Sequence, residues 1–389
     1  MLITLAAVAA LFSSAYTLRG TAHYREYFYV GSTYVPKNDN TSIAHGQVYV
    51  EHLTPALGTS QPYPILFVHG AGMTGTNFLN TPDGRPGWAD WFLSQGYEVY
   101  LIDQPARGRS AWQQSVDGPQ ITVDSLTISQ IFTATAEFNL WPNATLHTQW
   151  PGNGTVGDPI FDQFFASTMP LLAIDSESGE KNQHALAALL DRIGEVVLIT
   201  HSQSGLFGWP LADARPSLVK AIVTMEPGGP PFIGDTLSPN TPMHPYGLSE
   251  VPITYDPPIT DPSEIQTVND TEGRLPGYTC ILQKEPARQW PNLLHIPVLT
   301  LTSESSWHGI FDDCTVDFLR QAGLTVDFVR LQDVGIHGNG HMMFMELNSD
   351  EIVKKVVGKW IAEKISLSEV QGNICSYGIA KQLVPNSQG

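Results

Sequence analysis

Short continuous runs of apolar residues, each closed by glycine, proline or a polar cluster, recur along the chain. YPILFVHG (63–70), YEVYLID (97–103), EVVLIT (195–200), LVKAIVTM (218–225), IPVLTLT (296–302) and TVDFVRL (325–331) are of this kind, with a shorter strand-like segment from Val48 to His52. Runs of this length fit strands buried on both faces. Between them the spacing becomes helical, in GWADWFLSQG (87–96), QHALAALLDRIG (183–194), GLFGWPLADARP (205–216), and residues 310–322 and 349–365. Strand and helix in alternation predict an α/β fold, a mostly parallel sheet flanked by helices with right-handed crossovers. Two long segments break the alternation: 112–182, with one helix-like run at 126–138, and the proline-rich 227–295. Loops of that length are uncommon unless functional. They are expected to be insertions that cap the carboxyl ends of the strands, where open α/β sheets bind ligands.

The chain ends add information on destination. Residues 1–15 read as a signal peptide: an apolar run of about a dozen residues, then Ser13 and Ala15 at −3 and −1 of a cleavage point. The run falls short of the ~20 residues that span a bilayer. No Lys or Arg precedes it, which is off-pattern, and a membrane anchor is the alternative. Four N-x-[ST] triplets, at Asn40, Asn143, Asn153 and Asn269, fit glycosylation of an exported, extracellular chain. Three cysteines permit at most one internal disulfide; Cys280 with Cys314 is the first choice, and three buried thiols are the alternative. No C-x-x-C occurs, and no metal site is expected. Residues 16–365 form the α/β domain and 366–389 a C-terminal extension. The formal charge of −18 argues against nucleic acid and anionic membranes as partners.

The chemistry concentrates in VLITHSQSGLFGW (197–209), which offers two serines at a strand-to-helix turn. A nucleophile elbow needs a buried strand, a tight turn presenting the serine, then a helix, with small residues two before and two after. Around Ser202 those positions hold Thr200 and Ser204; around Ser204 they would hold Ser202 and the bulky Leu206. Ser202 is therefore the candidate nucleophile and Ser204 a helix-start residue. Neither flanking glycine of G-x-S-x-G is present. The bland alternative is that SQS only caps the helix that follows.

Acyl transfer also needs N–H donors where oxyanion charge develops. HGAGMTG (69–75) follows a strand upstream, so the N–H of Ala71 or Gly72 is one candidate donor and that of Gln203 the other. For the base, GIHGNGHMMFMELN (335–348) follows the last strand; His341 is preferred over His337, with His308 more distant. For the acid, the stretch after IPVLTLT reads SESSWHG and places Ser306 where an aspartate is usual. Glu226, in AIVTMEPGGPP, stands at the end of the strand next to the nucleophile's and is preferred over Glu304, with Asp312 or Asp313 third. Pro227 is expected to hold Glu226 in an extended backbone.

These blocks resemble the α/β-hydrolase superfamily, and more narrowly a branch of bacterial and fungal esterases with a Ser–Glu–His triad. The resemblance rests on VHGAGMTGTNF (68–78), IDQPARGRS (102–110), THSQSG (200–205), MEPGGPPF (225–232) and GNGHMM (338–343), in that order along the chain. It implies Ser202 as nucleophile, Glu226 as acid and His341 as base, in a serine esterase acting on a small-molecule ester or lactone without metal or organic cofactor. Ala71 stands where many relatives carry glycine. A non-catalytic ligand-binding homologue, an acyltransferase and a C–C hydrolase are the rival readings. Arg107 and Arg109 are expected in a structural salt bridge rather than on an anionic substrate. Trp88, Trp91, Phe232 and Tyr246 are candidates for a pocket lining or for core packing. Nothing in the motifs bears on oligomeric state.

Overall fold

The apolar runs assemble into one eight-stranded sheet. In the computed structural model, which describes residues 20–239, 241–275 and 278–366, its strands are β1 (His23–Val30), β2 (Val48–Pro55), β3 (Ile65–Val68), β4 (Val99–Asp103), β5 (Val196–His201), β6 (Val219–Met225), β7 (Val298–Thr302) and β8 (Val326–Arg330). The spatial order is β1-β2-β4-β3-β5-β6-β7-β8. β1 and β2 pair antiparallel, as do β2 and β4; every pairing from β4 to β8 is parallel. Every residue of β3, β4, β5 and β7 is buried, which is why those segments read as unbroken apolar runs rather than alternating ones. The expected signal peptide, the extension beyond residue 366 and Cys375 lie outside the described residues.

Helices cover the sheet: α1 (Trp88–Ser94), α2 (Asp175–Ile193), α3 (Gly205–Ala214), α4 (Asp312–Gln321), and α5, which opens with Ser349–Ile352 and passes through a π-helical segment, Val353–Val357. Helix α2 starts at Asp175, not at 183. Its first turns, DSESGEKN, are polar and carry no apolar period, although Asp175 and Glu177 favour a helix N-terminus. β1 was not anticipated. It is a mostly exposed edge strand carrying Tyr24, Tyr27 and Tyr29, followed by a hairpin of Thr33–Asn38 and Thr41–His45. Trp88 belongs to the core and packs edge-on against Phe344, while Trp91, partly buried, packs against the core and leaves no room for a side chain at Gly358.

The register positions the chemistry. In the β5–β6 pairing His201 faces Met225, so Ser202 and Glu226 are the first residues past the aligned ends of neighbouring strands. The Glu226 N–H continues the ladder to the Leu301 carbonyl of β7 (2.9 Å). The first insertion is bolted over this edge. Trp141 Nε1 donates to the Ser305 carbonyl (2.7 Å), and Thr148 N–H to the Gly338 carbonyl (2.9 Å). The Leu347 N–H in turn donates to the Gln149 carbonyl (2.8 Å). The second insertion carries a ribbon, Thr267–Asp270 with Cys280–Gln283, and a Cys280–Cys314 disulfide ties that ribbon to α4.

The disulfide closes a loop of 34 residues in sequence, for which the chain-entropy account gives a stabilisation of about 3–4 kcal/mol. The Cys280→Ser, Cys314→Ser double variant is expected to lose about that much in urea denaturation. An unchanged midpoint would show that the second insertion holds without its covalent tie.

Candidate active site

Ser202 occupies the turn between β5 and α3 with φ +55°, a left-handed conformation uncommon for a residue with a side chain and characteristic of strained, functional turns. The turn is closed by Ser204. Its fully buried hydroxyl lies 2.7 Å from the Val68 carbonyl and accepts the His201 N–H (2.8 Å), tying β3 to the elbow. Two serines thus divide the work, with Ser204 structural and Ser202 presented. Glycines beside the turn also allow close approaches. A Cβ on Gly205 would sit 2.4 Å from Pro227 Cβ, and one on Gly70 would sit 3.1 Å from Ser202 Cβ.

Glu226 and His341 meet in the interior. His341 Nδ1 is 2.5 Å from Glu226 Oε2, with both side chains fully buried. Glu226 also accepts the Ser303 N–H at Oε1 (2.7 Å) and the Ser306 hydroxyl at Oε2 (2.7 Å). Ser306, which stands where an aspartate is usual, therefore donates to Glu226. Glu226 has φ +45°, not the extended backbone expected ahead of Pro227; the turn that aims the carboxylate at His341 overrides the local preference.

The rival acids and bases are taken elsewhere. Glu304 holds His337 (Nδ1–Oε1 3.0 Å) and the Gly338 N–H at the outer side of the loop, where the His337 side chain is 63% exposed. Asp312 holds His308 (Nδ1–Oδ1 2.9 Å) and Asp313 holds Arg330 (Oδ2 2.6 Å). Arg109 forms the expected structural bridge, to Asp103 (Nε–Oδ2 2.8 Å) and Glu51 (2.6 Å). Arg107 does not: its guanidinium is buried against neutral acceptors.

Electrostatics fix the protonation of the pair. Burial alone would raise the Glu226 carboxyl, but the hydrogen bond and charge of His341, the charge of His308 and the Ser306 hydroxyl together hold it below the usual range. Burial pushes His341 below the ordinary histidine value; Glu226 opposes this and the His308 charge reinforces it. A neutral ring with Nδ1–H on Glu226 leaves its lone pair on Nε2, which is buried and has no hydrogen-bond partner among the described residues. His308 goes the other way. Despite burial, the Asp312 charge and hydrogen bond raise it.

Several site residues left no sequence signal. Phe132 stacks on the His341 ring (5.1 Å, 18°) from a π-helical segment, Ser129–Thr133, of the first insertion, and Trp307 approaches it at 4.4 Å. Glu346, fully buried, braces the loop below His341 through the Gly340 N–H (3.0 Å), Asn339 (2.7 Å) and His147 (2.7 Å). Only Trp307, beside SESS, lay close enough to a recognised block to be found. Glu226, His308 and His341 place donor atoms within 4.8 Å of one another, all three residues being buried.

With this geometry in view, comparison with known proteins is decisive for the family. A profile of the alpha/beta hydrolase family matches residues 65–355. The chain belongs to the alpha/beta hydrolase family. It is 47% identical over 340 residues to "Probable secreted lipase phiG" of a fungal species (strain ATCC 74256), covering 87% of this chain and 89% of that one. A solved structure titled "The Atomic Resolution Structure of a Novel Bacterial Esterase" superimposes with a TM-score of 0.58 at 21% identity, covering 88% of this chain and 97% of the other, and shows the shared fold. Among the described residues no helix of this hydrolase is long and apolar enough to cross a membrane.

The site carries a stability signature. Burial lowers His69 (to about 3), His201 and His341, so the folded state keeps them neutral at pH values where the unfolded chain protonates them. Above about pH 6.5 these groups have no effect. Below it the unfolded state binds more protons, and each group costs up to about 1.4 kcal/mol per pH unit, opposed by the raised His308. Urea midpoints are therefore expected to fall between pH 7 and pH 5.5. A flat or rising midpoint would contradict the neutral assignment.

Proposed function

We propose that this alpha/beta hydrolase is a secreted serine esterase that cleaves a small-molecule carboxylic ester or lactone through an acyl-enzyme on Ser202. The observation that carries the proposal is the buried Glu226–His341 hydrogen bond at the end of the strand beside Ser202's. His341 Nε2 removes the Ser202 proton as Oγ attacks the carbonyl. Glu226 holds the ring in the Nδ1–H tautomer and stabilises the imidazolium that forms. The oxyanion is received by the N–H groups of Gln203 and of Ala71 or Gly72. His341 then protonates the leaving alcohol, and water repeats the sequence on the acyl-enzyme. Ser202 and His341 Nε2 are not hydrogen-bonded here; such contacts commonly tighten only in the substrate complex. No step calls on a metal or organic cofactor.

Ester hydrolysis agrees with the name of the fungal relative, a lipase. Export is supported by that relative's description as secreted, by the expected signal over residues 1–15, and by the disulfide, since such bonds persist in oxidising compartments. Asn40, Asn143, Asn153 and Asn269 are all exposed, as acceptors of glycans must be. At Asn153 the Thr155 hydroxyl already donates to the side-chain oxygen (3.0 Å).

Fluorophosphonate labelling with peptide mapping, paired with p-nitrophenyl butyrate turnover, tests the assignment. Label on Ser202 is expected, absent in Ser202→Ala. Turnover in Glu226→Gln should drop by about 10³–10⁴-fold, as when a triad acid is neutralised, while Glu304→Ala stays near wild type. A full-rate Glu226→Gln enzyme would remove Glu226 from the mechanism, and unlabelled wild type would remove the esterase reading altogether.

A further inference from the structure

Among the described residues Arg107 is the one buried cation whose hydrogen-bond partners are all neutral, and both lie in the proposed oxyanion loops. Its Nη1 donates to the Gly70 carbonyl (2.9 Å) and its Nη2 to Gln203 Oε1 (3.3 Å), while Nε has no partner. The nearest acid, Asp103, is occupied by both arms of Arg109. Burial pushes the guanidinium down to about 9, against the opposing charge of Asp103, and it stays cationic at neutral pH. A buried charge with no salt-bridge partner of its own is costly.

The Gly70 carbonyl and the Ala71 N–H belong to one peptide plane and point in opposite directions across a trans bond. Fixing the carbonyl therefore aims the N–H. The carbonyl is held from a second side as well. His69 Nε2 accepts the Gln104 N–H (3.1 Å), so in the neutral ring the proton sits on Nδ1 and is donated to Gly70 O (2.9 Å). Both lone pairs of that oxygen are thus engaged, one by a cation, and this polarises the peptide toward a stronger N–H donor. The other arm of Arg107 restrains the side chain of Gln203, the residue carrying the second donor.

We infer that Arg107 is a positioning residue for the oxyanion hole, clamping the Gly70–Ala71 peptide and Gln203 so that their N–H groups converge on the developing charge. The inference rests on the esterase reading and identifies Ala71, rather than Gly72, as the donor in the upstream loop. Arg107 touches no reacting atom; it acts through the two donors and through its field in a site shielded from water.

The test uses the full secreted chain with active sites counted by fluorophosphonate end-point titration. In Arg107→Met, kcat per titrated site with p-nitrophenyl butyrate is expected to fall on the order of 10²-fold with KM nearly unchanged, the loss typical of removing oxyanion stabilisation. Inhibition by a trifluoromethyl ketone, which forms a hemiketal oxyanion with the serine, should weaken by the same factor as kcat/KM. Arg107→Lys, which keeps the charge but not the fork, should recover part of both. A merely structural role would lower the number of titratable sites and the melting temperature while leaving kcat per site intact. A kcat per site within about threefold of wild type, small beside the loss expected for an oxyanion donor, overturns the inference. Should the methionine variant not accumulate, Gln203→Ala carries the same test, since it removes one acceptor of Arg107 and leaves the backbone donor. A wild-type enzyme that neither titrates nor turns over would sink the esterase reading instead, so the two failures are distinguishable.

Discussion

The hydrogen bond between Glu226 and His341 sets the terms on which this end of the sheet is built. A carboxylate taken wholly out of water is expensive unless its oxygens are satisfied. Here the Ser303 N–H, the Ser306 hydroxyl and the His341 ring satisfy them, and all three come from loops that follow β7 and β8. The acid on β6 thus draws the next two strands' loops toward itself. Removing any one donor would leave charge stranded in the core, so the pair constrains folding whatever it does in the proposed chemistry.

A second buried acid repeats the arrangement on the cap side. Glu346 satisfies the Gly340 N–H, Asn339 and His147, and His147 belongs to the first insertion. The loop carrying His341 is therefore braced from above by the insertion and from within by Glu226. Phe132 and Trp307 complete the enclosure by packing on the ring. Exclusion of water strengthens each electrostatic contact inside, which suits the proposed stabilisation of a transient oxyanion.

The parallel core was legible because strands buried on both faces leave unbroken apolar runs, and β3 to β8 all appeared. β1 did not, since an edge strand with exposed tyrosines has neither an apolar run nor a clean alternation. The placement of Ser202 and Glu226 could be read because both lie at strand ends, which periodicity locates. The preference for Glu226 over Glu304 rested on the adjacency of neighbouring strands, and the register of β5 with β6 supplies the reason. What stayed hidden depends on distant contacts: Phe132 reaches His341 through a helical irregularity of the first insertion, and Glu346 pairs with His147 of that same insertion. Pro227 misled, because tertiary contacts impose a left-handed turn at Glu226 where local preference says extended. Arg107 and Arg109 look alike in DQPARGRS; only the fold shows that one has two carboxylates and the other none.

The account turns on Glu226 being the group that holds His341. Proton NMR of the ¹⁵N-histidine-labelled enzyme reads this contact directly, through the strongly deshielded Nδ1 proton of a histidine bound to a buried carboxylate. The account predicts one such resonance assigned to His341, retained in Glu304→Ala and lost in Glu226→Gln. Its persistence in Glu226→Gln, or its loss in Glu304→Ala, would contradict the assignment of the acid.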